Sequence, residues 1–78
     1  MITQPQFAVV SQTLDGYTNE ELFSTREAAI AYANFKWNEM TDRERRRHLH
    51  FTILKGYLDE RNCFDKHDCE TIHSYTEE

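Results

Sequence analysis

A chain of 78 residues with 38% hydrophobic and 13% aromatic side chains has an ordinary apolar share and suits one small folded domain better than a disordered segment. No apolar run approaches the ~20 residues of a membrane span. The start, Met1 to Gln6, lacks the basic region of a secretory signal, so the expected location is the cytoplasm. The formal charge of −5 is uneven: seven acids between Asp59 and Glu78 face only Arg61 and Lys66, while Arg43, Arg45, Arg46 and Arg47 form a compact basic cluster. The overall sign disfavours bulk nucleic-acid binding, although a local basic patch can still touch phosphate.

In chain order, 6–23 reads as a β-hairpin. Phe7 and Val9 alternate with Ala8 and Val10, and Asp15-Gly16 has the composition of a two-residue type I′ turn. That turn sets Leu14 opposite Tyr17, Val9 opposite Leu22 and Ala8 opposite Phe23. Pro5 precedes the first strand, where its missing N–H does no harm.

The span 24–40 reads as the one substantial helix. Ser24 and Glu27 have capping-box spacing, with Phe23 and Ala28 placed for a hydrophobic staple. Ala29, Ile30, Ala33, Trp37 and Met40 form a broad apolar stripe, the expected core face. Ala28, Ala31, Tyr32 and Phe35 form a narrower stripe on another side. One sheet cannot cover both, so either the C-terminal tail or a partner covers the second.

Thr41 and Glu44 repeat the capping-box spacing, which predicts a further short turn of helix ahead of the basic cluster. Residues 48–58 read as a third strand, with Leu49, Phe51 and Ile53 on one face and His48, His50, Thr52 and Leu54 on the other. Gly56 marks a bulge or bend. The tail 59–78 is acidic, and Cys69 to Tyr75 alternate as a candidate edge strand, with disorder as the alternative. The expected fold is a single α+β domain: a small antiparallel sheet of order 2-1-3, extended by the candidate fourth edge strand, with one main helix packed across it.

Chemistry is thinly signalled. Cys63, His67, Cys69 and His73 are all zinc-ligand types, but the alternating spacing C-x3-H-x-C-x3-H differs from the paired spacing of structural sites, so no metal or other cofactor is expected. No nucleophile-elbow, P-loop or dinucleotide motif occurs, which argues against an enzyme. Arg43, Arg45, Arg46 and Arg47 are the one candidate set for phosphate contact.

The stretch FSTREAAIAYANFKWNEMTDRERRRHLHFTIL carries Phe23, Ser24, Glu27, Ala28, Ala29, Ile30, Ala31, Tyr32, Ala33, Phe35, Trp37, Asn38, Thr41 and Arg45 to Arg47. These positions resemble small accessory proteins carried on phages and mobile elements of Firmicutes. Those show an aromatic and a serine or threonine before an EEAIAYA-like run, a tryptophan-asparagine pair, and a basic turn into a strand. The resemblance covers roughly the middle half of the chain. It implies a mobile-element setting, in which small acidic proteins, anti-CRISPR proteins among them, bind and block host proteins.

The expected function is therefore a non-enzymatic, anti-defence type of inhibitor that binds a host protein such as a nucleic-acid-binding defence effector. Tyr32 and Phe35 would serve as aromatic anchors, and Asp59, Glu60, Asp65 and Asp68 would engage a basic surface of the target. The alternatives are a small nucleic-acid-associated regulator using Arg43–Arg47 and a homo-oligomeric structural accessory; a homodimer stays open.

Overall fold

Four antiparallel strands and one main helix make up the computed structural model, which describes residues 4–76. Strands β1 (Gln6–Thr13) and β2 (Thr18–Phe23) lead into helix α1 (Arg26–Glu39). A short helix α2 (Asp42–Arg46), strand β3 (His48–Gly56) and strand β4 (Glu70–Ser74) follow. The sheet order is β2-β1-β3-β4, so the expected 2-1-3 arrangement is present and the tail supplies the fourth edge strand.

The hairpin pairs one residue out of the expected register: Val9 lies opposite Glu21, Ala8 opposite Leu22 and Phe7 opposite Phe23. The cause is the turn. Gly16 N–H donates to the Thr13 carbonyl at 3.0 Å and Thr13 N–H donates to the Tyr17 carbonyl at 2.8 Å, so the loop holds three residues rather than two. Gly16 has φ of 89°, the left-handed residue that closes a type I turn into a bulge. Thr13 Oγ1 donates to Asp15 Oδ1 at 2.6 Å and holds the loop in that form.

Strand β2 stays paired through Phe23, so the chain must bend at Ser24 before a helix can begin. The N-cap is therefore Thr25 and not Ser24. Its extended backbone (φ −129°, ψ 151°) lets Oγ1 accept the Ala28 N–H at 3.2 Å. Phe23, freed from the expected staple, stacks on Tyr32 with ring centroids 5.0 Å apart. The second capping box forms as expected: Thr41 Oγ1 accepts Glu44 N–H while the Glu44 carboxylate accepts Thr41 N–H.

The core lies between α1 and one face of the sheet. Phe7, Val9, Phe51 and Ile53 from the strands meet Ala29 and Ala33 from the helix. The two alanines are fully buried and let the helix approach closely. Trp37 is half-buried, tilted against Phe51 at 5.4 Å and Tyr75 at 5.6 Å.

Two bulges correct the expected alternation. Gln12 pairs with His50 and Thr13 with His48, which leaves Leu49 as an extra residue in β3. His48 is thereby turned beside Phe51, their rings 5.8 Å apart, and Leu49 is left 54% exposed instead of joining Phe51 and Ile53. On β4, Leu54 pairs with Thr71 and Ile53 with His73, so Ile72 is extra and packs against the helix-side core.

Strand β3 stops at Gly56, short of the expected 58; Leu58 forms only an isolated bridge with Phe64. That bridge closes the segment 57–69 into a loop over the sheet's other face. Phe64 is buried above Gly56, and Lys66 Nζ reaches Glu20 Oε1 on β2 at 3.0 Å. Gly56 serves close packing rather than a bend: a Cβ there would meet Phe64 Cζ at 2.9 Å and Cys69 Cβ at 3.1 Å.

Candidate functional site

Tyr32 and Phe35, expected together on one outer stripe, separate. Tyr32 is half-buried, stacked on Phe23 and packed against the core cluster. Phe35 lies about 60° further round the helix at 3.6 residues per turn, and is 64% exposed. This rotation points away from the core on the β2 side, the side on which Tyr32 meets Phe23. The other flank of α1 faces β4, where Tyr75 Oη donates to Asn34 Oδ1. Among the described residues, the tail thus returns to the helix on the Asn34 flank only. Among the described residues, nothing covers Phe35.

Between α1 and the hairpin runs an open groove of about 270 Å³, with Val9, Tyr32, Met40 and Phe51 among its lining and Lys36 and His48 as its basic groups. Tyr17, 70% exposed, stands at its hairpin end. Lys36 Nζ lies 5.8 Å from the Tyr32 ring centroid, a cation–π contact that holds the amine over the groove. His48 Nδ1 lies 2.8 Å from the Glu44 carbonyl, which only accepts, so Nδ1 carries a proton. In the sequence, Tyr17 is marked only by its place beside the Asp15-Gly16 turn.

The four arginines of the basic cluster do not act alike. Arg45 Nε donates to the Trp37 carbonyl at 3.0 Å, its guanidinium lies 5.6 Å from the Trp37 ring centroid, and Nη1 pairs with Asp42 at 3.3 Å. It is a packing residue that ties α2 to α1. Arg43, Arg46 and Arg47 are exposed, and the Arg47 carbonyl accepts the Leu14 N–H at 2.7 Å, fixing this corner to the hairpin tip.

The acidic residues lie at the opposite end of β3, roughly 25 Å away at 3.3 Å per residue. Asp59 and Asp65 are occupied in folding their loop. Asp59 Oδ1 accepts Arg61 N–H at 2.8 Å and Cys63 N–H at 3.0 Å, and Asp65 Oδ1 accepts His67 N–H at 3.0 Å. The amides of Cys63 and Arg61 hold the Asp59 carboxyl below its usual 3.8. The Thr13 hydroxyl does the same for Asp15. Glu60 and Asp68 are exposed. Burial pushes the Tyr75 hydroxyl above its usual 10.0.

Cys63 and Cys69 are free thiols, and among the described residues no three His, Cys, Asp or Glu side chains converge as metal ligands. Nor, among those residues, is any helix long and apolar enough to cross a membrane. Comparison with protein-family models, with curated proteins and with solved structures returns no match to this chain.

Proposed function

We propose that this chain is a non-enzymatic interaction protein that binds a host protein and blocks it, the role implied by its resemblance to mobile-element accessory proteins. One observation carries the reading. Phe35 is an aromatic side chain held 64% exposed on a helix whose opposite flank is anchored by Ala29, Ala33 and Trp37. A large ring fixed in water on a rigid element loses little conformational entropy on binding, which is the character of an interface anchor. Tyr17 and the accessible edge of Tyr32 extend the same apolar side. The free thiols suit a reducing cytoplasm, where such a target would be met.

The separation of the basic corner from the acidic loop gives the molecule a long-axis dipole, which orients an approaching partner without adding much affinity. Glu60 and Asp68 are the acids free to take part, since Asp59 and Asp65 are engaged in their loop. The alternative, phosphate contact, rests on Arg43, Arg46 and Arg47, with Arg45 withdrawn to Trp37.

The test is Phe35→Ser in a pull-down from host lysate, scored against the parent. The melt should be unchanged and the captured partner lost, a change of at least ~2 kcal/mol on the hot-spot scale. Full capture by the variant would move the interface elsewhere.

A further inference from the structure

The two sheet edges differ. β4 is interrupted at Ile72, where the ladder to β3 shifts register, so its outer row of amides is broken. β2 pairs with β1 over six consecutive residues without a shift and contains no proline. Since Thr13 N–H bonds the Tyr17 carbonyl, residues 17, 19, 21 and 23 turn their amides and carbonyls inward to β1. Thr18, Glu20 and Leu22 therefore present theirs outward, and all three residues are exposed. A regular row of this kind is a template for one more strand.

A second copy fits it poorly. Antiparallel self-pairing requires outward residues to face outward residues, which forbids the register that overlaps the whole of β2. The two next-longest registers set Glu20 opposite Glu20 of the other copy, or Glu21 opposite Glu21. Like charges directly opposite one another oppose pairing. Glu20 is drawn to the far face by Lys66, whereas Glu21 stands on the helix side with Tyr17, Asn19 and Phe23. A strand added there would run its helix-side residues between Glu21 and the flank of α1 that bears Tyr32.

We propose that β2 accepts an extended segment of a partner protein as a fifth strand, one that carries a basic side chain opposite Glu21 and apolar side chains two positions away, beside Phe23 and Tyr32. This rests on the reading of the Phe35 side of the molecule as the binding surface. It adds the mode, β-strand addition, and the chemistry of the partner, an extended basic and apolar segment.

The experiment is amide hydrogen exchange on the intact protein with a short blocked peptide of repeating lysine-threonine-valine-threonine, which sets lysine and valine on one face of the strand, and with the same peptide carrying glutamate for lysine. The lysine peptide should slow exchange at Thr18, Glu20 and Leu22 at least about tenfold, and the glutamate peptide should not. Glu20→Pro removes one outward N–H without touching the ladder to β1 and should abolish the protection. Because that variant can disturb the hairpin, Glu21→Lys is the second. It keeps every amide and should reverse the preference to the glutamate peptide. Equal protection by both peptides, or none by either, overturns the proposal. So does protection that grows with protein concentration in the absence of peptide, which would assign the edge to a second copy. If the peptides fail while Phe35→Ser still loses its captured partner, the strand-addition mode falls and the binding surface stands.

Discussion

Replacement of Gly56 by alanine tests the packing of the sheet's far face with the smallest perturbation available. The added Cβ would lie 2.9 Å from Phe64 Cζ and 3.1 Å from Cys69 Cβ. Carbon atoms rest at about 3.5–4.0 Å, so the ring must retreat by about 0.6–1 Å. Phe64 is buried, and its loop is held by the Leu58–Phe64 bridge and the Lys66–Glu20 pair. Retreat therefore loosens the whole 57–69 segment. Overpacking of this kind costs about 1–3 kcal/mol. Restricting the unfolded chain returns about 0.4–1 kcal/mol, because Gly56 does not use a left-handed backbone. The net expectation is a loss of about 1–2 kcal/mol, which in a domain of this size lowers the melting midpoint by about 4–16 °C. Circular dichroism melts of four proteins measure it: the parent, Gly56→Ala, Phe64→Leu and the double variant. In the Phe64→Leu background only the 3.1 Å approach to Cys69 Cβ remains, so the alanine should cost less there, by a coupling energy of about 1 kcal/mol. A Gly56→Ala protein that melts at or above the parent, or costs that add without coupling, would refute the contact.

Trp37→Ala should cost about 3 kcal/mol, the low end for loss of a core aromatic, because the ring is only half-buried; a midpoint within a few degrees of the parent would contradict its place between Phe51, Tyr75 and Arg45. The melting midpoint should hold through the neutral range and fall as the pH drops below 3.8, because the lowered carboxyls of Asp15 and Asp59 stabilise the fold only while ionised. Asp59→Ala should flatten part of that acid fall, and an unchanged acid limb would remove Asp59 from the account. EDTA treatment should leave the midpoint where it was; a downward shift, with zinc detected in the untreated protein, would overturn the metal-free reading. Tyr32→Ser should lower the midpoint by more than Phe35→Ser, since only Tyr32 packs on Phe23; equal melts would return Tyr32 to the outer surface.

The parts of the fold legible in the sequence are those set by local chemistry. The Asp15-Gly16 pair ends β1, the alanine-rich run makes α1, and Thr41-Asp42-Arg43-Glu44 caps α2, all without reference to the rest of the chain. What failed to read were features that depend on two places at once. The hairpin register turned on whether Leu14 belongs to the strand or to the loop, and Thr13 decides this by bonding Asp15 and the Tyr17 carbonyl together. The helix cap moved from Ser24 to Thr25 because β2 keeps its pairing through Phe23, a fact of the sheet and not of the helix. The bulges at Leu49 and Ile72 each place an extra residue in one strand, and period-two reading carries no memory of such a slip.

The candidate site shows the same limit more sharply. Helical periodicity put Tyr32 and Phe35 on one stripe because they are three residues apart, which is correct for the helix alone. Whether that stripe is one surface or two depends on where the sheet ends beneath it. β2 is an edge strand, and Phe23 closes its last position, so the ring at 32 finds a partner, while the ring at 35, turned further from the core, stays 64% exposed. The boundary between core and exposed surface therefore falls inside a single helical turn. It follows that Phe64, set among the polar residues of the tail, and Phe35, the exposed aromatic of the helix, have opposite meanings. Phe64 is isolated in sequence yet covered, because a loop can bring it back to Gly56. Phe35 belongs to an apolar stripe of the helix yet stays exposed, because a rigid helix cannot turn one face two ways.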